Sequence, residues 1–163
     1  MRINNDVNFL NPSFKVKFDL WWAEVKKKYP NAHVFEARRS QERQDWLYAS
    51  WRTRPWPIVT RTKKSKHLEG KAVDIVFYQG NVLTWDWPYD DLIEIAKKYE
   101  IHNLKPIETC HFEDNGKPLK TKDDQLIEQL VKDWIYSGEL GTLDQRMLTI
   151  VARLYDKTKL KKK

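Results

Sequence analysis

Ser65-Lys66-His67-Leu68-Glu69-Gly70-Lys71-Ala72-Val73-Asp74-Ile75-Val76-Phe77 begins polar and ends as an apolar run with the composition of a buried β-strand. A histidine lies on its polar side and an aspartate inside its apolar side. Burying that carboxylate among Ala, Val, Ile and Phe is costly unless something positive sits against it. Neutral imidazole and carboxylate are common zinc ligands, and Gly70 lets the backbone turn so that His67 and Asp74 converge. Farther along, Glu108-Thr109-Cys110-His111-Phe112-Glu113 supplies a second imidazole and, just before it, a carboxylate that could act as a base. His67, Asp74 and His111 then make three ligands and Glu108 a general base, with one coordination position left for water. Such a set belongs to a catalytic rather than a structural zinc.

The same residues resemble a known family. Ser65-x-His67-x-x-Gly70-x-Ala72-x-Asp74, followed by Glu108-x-x-His111, is similar to the VanY-type D-Ala-D-Ala carboxypeptidases and the phage L-alanyl-D-glutamate endopeptidases (endolysins). Both belong to a zinc peptidase superfamily with the hedgehog-like fold. Upstream, Glu36-x-x-Arg39-Ser40-x-x-x-Gln44-x-x-Leu47-Tyr48 matches as well, and the resemblance spans residues 14–112. It implies an α+β fold, a small antiparallel sheet with flanking helices, as the catalytic domain over residues 1–118. It also implies Zn²⁺ on His67, Asp74 and His111, Glu108 as catalytic base, and substrate contacts from Arg39, Ser40, Gln44 and Ser65. Arg39 would polarise the scissile carbonyl, a task suited to a planar, permanently charged guanidinium. An ion pair with Glu36 is the simpler reading of Arg39, and the two can coexist. Two departures stand out: Trp51 falls where relatives usually carry glycine, and Glu108 where they more often carry the shorter Asp.

With 163 residues, 40% hydrophobic and 33% charged, the chain has the size and balance of one soluble domain with a small appendage. The net charge of +7 favours anionic partners, either nucleic acid or the carboxylate- and phosphate-rich polymers of a bacterial envelope. Lys-rich faces that only keep the protein soluble would give the same number. A single cysteine, Cys110, excludes an intrachain disulfide and a Cys-based zinc knuckle. No N-terminal apolar segment and no bilayer-length run is visible. The expectation is therefore a protein made in the host cytoplasm without a signal peptide, not inserted in a membrane, and reaching the cell wall after holin-type release.

Along the chain, residues up to Pro12 read as an irregular arm. Phe14, Phe18, Trp21, Trp22 and Val25 recur at helical spacing over 13–29, with Ser13 as N-cap. A short strand is expected over 33–37 and a second helix from Ser40, with Trp46, Leu47 and Trp51 as its apolar face. Residues 51–57 form a loop rich in Trp, Arg and Pro that either clamps an extended ligand or packs over the core. The basic run 61–66 either draws an anionic substrate toward His67 or is a solvated loop. Strands follow over 72–78 and 82–85, then a helix over 89–99. Glu108 and His111 are three apart, so on a regular strand they would face opposite sides. Glu108 is therefore expected in a loop and His111 at the start of a strand. Glu113 is read as a hydrogen-bond partner of a ligand histidine or a surface residue rather than a ligand itself, and Cys110 as a buried, inert thiol. Beyond 118, two amphipathic segments (124–136, and a second after Thr142) suggest a C-terminal helical hairpin over 119–163. It would pack on the core, touch the wall or join copies of the chain; a monomer is expected.

The reaction expected is hydrolysis of peptidoglycan stem peptide, at L-Ala-D-Glu as in the endolysins or at terminal D-Ala as in the carboxypeptidases. Small size, positive charge and the lack of a membrane anchor favour the endolysin, and no nucleic-acid partner is expected. A basic nucleic-acid-binding module is the alternative from another class, since Lys and Arg runs with interleaved Trp suit backbone neutralisation and base stacking. It leaves the His/Asp/Glu/His set unexplained. A metal-binding but inactive relative is the third reading.

Overall fold

Apolar residues at positions 14, 18, 21 and 25 of the first helix fall on one stripe, and that stripe is the centre of the molecule. In the computed structural model, which describes residues 2–55 and 57–120, helix α1 spans Pro12–Lys28. Phe14, Phe18, Trp21 and Val25 are fully buried along it. Its cap is Asn11 rather than Ser13: Asn11 Oδ1 accepts the Ser13 N–H, and Pro12 takes the first helical position, where no N–H is needed.

The strands are β1 (Ala32–Glu36), β2 (Ala72–Gln79), β3 (Val82–Thr84), β4 (Ile101–Leu104) and β5 (Glu108–Asp114). They form one sheet in the order β1-β2-β5-β4, with β3 beside the far end of β2, and every pairing is antiparallel. Helix α2 (Gln41–Tyr48) follows β1 and α3 (Asp90–Lys97) precedes β4. This is the expected α+β architecture, a small antiparallel sheet with flanking helices. No helix among the described residues is long and apolar enough to cross a membrane.

Period-2 alternation gives the sheet two faces. Val73, Ile75 and Phe77 of β2 and Phe112 of β5 join α1 and α3 in the core, with the Phe112 ring 4.7 Å from that of Trp21. Asp74 therefore points away from the core. Residues up to Leu119 make one compact unit; the hairpin expected over 119–163 lies outside the described residues.

Several expectations shift. The arm before Pro12 contains a 3₁₀ turn, Val7–Phe9, and is fastened to the domain, since Asn11 N–H donates to Gly70 O at 2.9 Å and Ala37 N–H to Asn4 O at 2.7 Å. Of the apolar face expected on α2 only Leu47 is buried; Trp46 and Trp51 are exposed, and the helix turns Arg43 and Gln44 inward instead. Those polar groups are tolerated inside because each has partners among its neighbours. Strand β4 carries too few residues for alternation to reveal it.

Candidate metal centre

Asp74 sits directly opposite His111 in the β2–β5 register, so the two side chains emerge side by side on the face away from the core. His67 arrives from a 3₁₀ turn, Lys66–Glu69, that Ser65 caps by accepting the His67 N–H. The turn ends at Gly70, whose φ of +67° is left-handed. A Cβ there would lie 2.9 Å from both Asn11 N and Phe9 O, so glycine is required twice over.

The ligand atoms converge closely. His67 Nε2 is 3.2 Å from Asp74 Oδ2 and 3.2 Å from His111 Nδ1, and His111 Nδ1 is 3.1 Å from Asp74 Oδ1. Each imidazole thus reaches a different oxygen of the Asp74 carboxylate and the two rings reach each other, close enough together for the group to hold one metal ion. Among the described residues these three form the group able to hold a metal ion.

The other ring nitrogens are committed elsewhere, which fixes the tautomers. Nδ1 of His67 lies 2.6 Å from the Ala37 carbonyl, and Nε2 of His111 lies 3.1 Å from Glu113 Oε2. Each partner accepts an N–H, so that in the neutral ring the opposite nitrogen carries a lone pair facing the site. Charges follow the same logic. Burial works to raise the Asp74 carboxyl, but the neighbouring His67 and His111 hold it far below the usual carboxylate range. Burial lowers His111, yet its hydrogen bonds to Asp74 and Glu113 outweigh this and raise it to about 9. The bond from His111 holds Glu113 ionised below its ordinary range.

Two sheet irregularities bring further acids to this face. Between Val34 and Glu36 the register slips, so Glu36 stands opposite Asp74 instead of sharing the core face of Ala32 and Val34. On the other side, Asn103 pairs with Phe112 while Leu104 pairs with Glu108, leaving 109–111 as a bulge. Asn103 fills the gap, donating through Nδ2 to the carbonyls of Thr109 (2.8 Å) and His111 (2.7 Å). Glu108 thus begins β5 rather than sitting in a loop, and the bulge is the backbone departure its spacing demanded. Its Oε2 is 3.9 Å from His111 Nδ1, and the side chain is 43% exposed, beside the ligands and open to water.

Arg39 is wedged against this group. It donates to Glu36 (2.7 Å) and Gln44 (2.8 Å) and approaches Asp74 Oδ2 at 3.4 Å. Arg43 grips Glu36 from the other side at 2.5 Å. The other positions expected to contact substrate have structural partners here. Ser40 caps α2 and accepts the Arg43 N–H, Ser65 caps the His67 turn, and buried Gln44 also donates to the Thr62 carbonyl at 2.6 Å. Cys110 packs toward the core; burial first, then the charges of Asp74 and Glu108, push its thiol up to about 12. It is no nucleophile at neutral pH. Asn103 is the residue the sequence did not advertise, because its role exists only in the register of β4 against β5.

The fold defines a class that solved structures share. The crystal structure of the Serratia marcescens L-Ala D-Glu endopeptidase ChiX aligns with a TM-score of 0.52 at 20% identity, over 68% of this chain and 84% of that one. At that identity the likeness is one of fold. No family model and no curated protein matches the sequence.

Proposed function

We propose that the chain is a zinc-dependent peptidase that hydrolyses peptidoglycan stem peptides at the L-Ala-D-Glu bond, in the manner of a phage endolysin acting on the wall after release. The carrying observation is the convergence of His67 Nε2, His111 Nδ1 and the two Asp74 carboxylate oxygens at 3.1–3.2 Å, with Glu108 beside them. The peptidoglycan substrate is supported by a fold shared with an L-Ala D-Glu endopeptidase.

A zinc ion held by these residues would supply a Lewis acid and lower the pKa of a bound water to about 7. The chain's own groups do the rest. Ala37 and Glu113 keep both imidazoles turned lone-pair inward. Glu108 takes a proton from the attacking water as its oxygen bonds to the peptide carbon, then delivers that proton to the amine as the C–N bond breaks. Arg39, anchored by Glu36 and Gln44, places fixed positive charge near the carbonyl oxygen on which negative charge develops. Gln44 and Ser65 contribute by holding Arg39 and His67 in position.

Mass spectrometry of isolated peptidoglycan digested by the full chain tests the assignment. New N-terminal D-Glu is expected, abolished by a zinc chelator. Release of free D-Ala alone would make the protein a carboxypeptidase, and no cleavage by zinc-loaded protein would overturn the hydrolase reading.

A further inference from the structure

The segment over 46–66 contains no acidic residue but carries Arg52, Arg54, Arg61, Lys63, Lys64 and Lys66. Its most unusual residue is Trp51. The backbone there has φ of +59°, the left-handed region glycine prefers after a helix. A tight turn holds it, with Trp51 N–H donating to Arg54 O at 2.8 Å. A bulky side chain at such a position needs a reason, and core packing is not it, since the indole is 69% exposed.

Other residues of the segment carry stacked cations. The Arg52 guanidinium lies 3.8 Å from the Tyr48 ring centre, with Lys63 over the same ring at 5.2 Å. Arg54 lies 3.7 Å from the Trp46 ring centre. These stacks hold cations in the same segment that exposes Trp51, Ile58 and Val59. The segment is also joined to the metal centre. Gln44 bonds the Thr62 carbonyl and Arg39, Arg39 approaches Asp74, and the segment's end, Ser65, caps the turn of His67.

We propose that this face is a docking surface for the peptidoglycan polymer, Trp51 stacking on a sugar ring while the cations meet stem-peptide carboxylates. The inference rests on the peptidase reading for the identity of the polymer. Nucleic acid fits less well, because stacking along a single strand uses successive free ring faces. Among the described residues of the segment, Tyr48 and Trp46 are already capped by guanidinium groups, leaving Trp51 as the open platform.

The test is co-sedimentation of the full chain with insoluble peptidoglycan, carried in a Glu108→Gln background so that the polymer is not digested. Trp51→Gly suits the left-handed backbone, so a thermal melt should show the fold intact. It is expected to lower the pelleted fraction at least fivefold. Lys63→Glu with Lys64→Glu should lower it further and flatten its salt dependence. Pelleting unchanged by Trp51→Gly overturns the proposal, as does a Trp51→Gly defect confined to oligonucleotide binding. Hydrolysis of a soluble stem peptide by the wild-type protein is read separately. If it is absent while Trp51-dependent pelleting persists, the peptidase reading falls and the docking surface stands.

Discussion

His111 stands between two carboxylates, with Nδ1 toward Asp74 and Nε2 toward Glu113. Its pKa, raised to about 9, means that the metal-free protein holds at neutral pH a proton that must leave before Nδ1 can bind a metal. Apparent zinc affinity should therefore rise with pH and level off above about 9; chelator competition across that range checks it, and a flat profile would contradict it. In the metal-free protein the same shift contributes stability that is full below pH 6.5 and lost as pH rises through about 9. Glu108→Gln should keep zinc and reduce kcat by about 10²–10⁴-fold, since it removes the proton carrier and leaves the ligands in place. Glu113→Gln, which leaves the ring without its charged acceptor, should weaken zinc binding about 10–100-fold, read by the same competition. The grouping of His67, Asp74 and His111 was legible in the sequence because an Asp within an apolar β-run needs a positive partner. Of the two places the sequence left open for Glu113, beside a ligand histidine or at the surface, the strand selects the first, because residues two apart share a face.

At the scale of elements, the site depends on departures from regularity. A straight β5 would turn Glu108 away from His111, and a straight β1 would bury Glu36 in the core. Asn103 holds the first departure open through two carbonyls and accepts the Lys105 N–H at 2.8 Å. Asn103→Ala leaves those groups without partners, at about 1–3 kcal/mol each for the buried ones. The expected outcome is a lower melting temperature together with weaker zinc binding; a melting change alone would show that the bulge does not position the ligands. Helix α1 was readable because its stripe recurs over several turns. The bulges were not, since a register slip is a property of two strands and neither strand's pattern records it. The inward face of α2 was misread for a related reason: Arg43 and Gln44 look like surface residues until Glu36 and the Thr62 carbonyl are placed beside them.

For the whole molecule, the face holding the ligands is backed by a core of aromatic and aliphatic side chains from α1, α3 and the sheet. One ion pair ties the first helix to the end of the last described strand. Lys17 and Asp114 meet at 2.5 Å with their side chains 6% and 8% exposed, and Lys17 also donates to the Lys117 carbonyl. Lys17→Met should destabilise the fold by about 3–5 kcal/mol, measured by denaturant unfolding, because it strands a buried carboxylate. The overall class, a small antiparallel sheet with helices against it, was legible through the family resemblance of the His67–Asp74 and Glu108–His111 motifs. The measurement that bears most directly on the metal centre is the zinc content of the purified full chain after exhaustive dialysis. One zinc per chain, lost in Asp74→Ala while that variant stays folded, is the expected result. A folded wild-type protein that takes up no zinc, or an Asp74→Ala variant that holds it as tightly, would contradict a centre built from His67, Asp74 and His111.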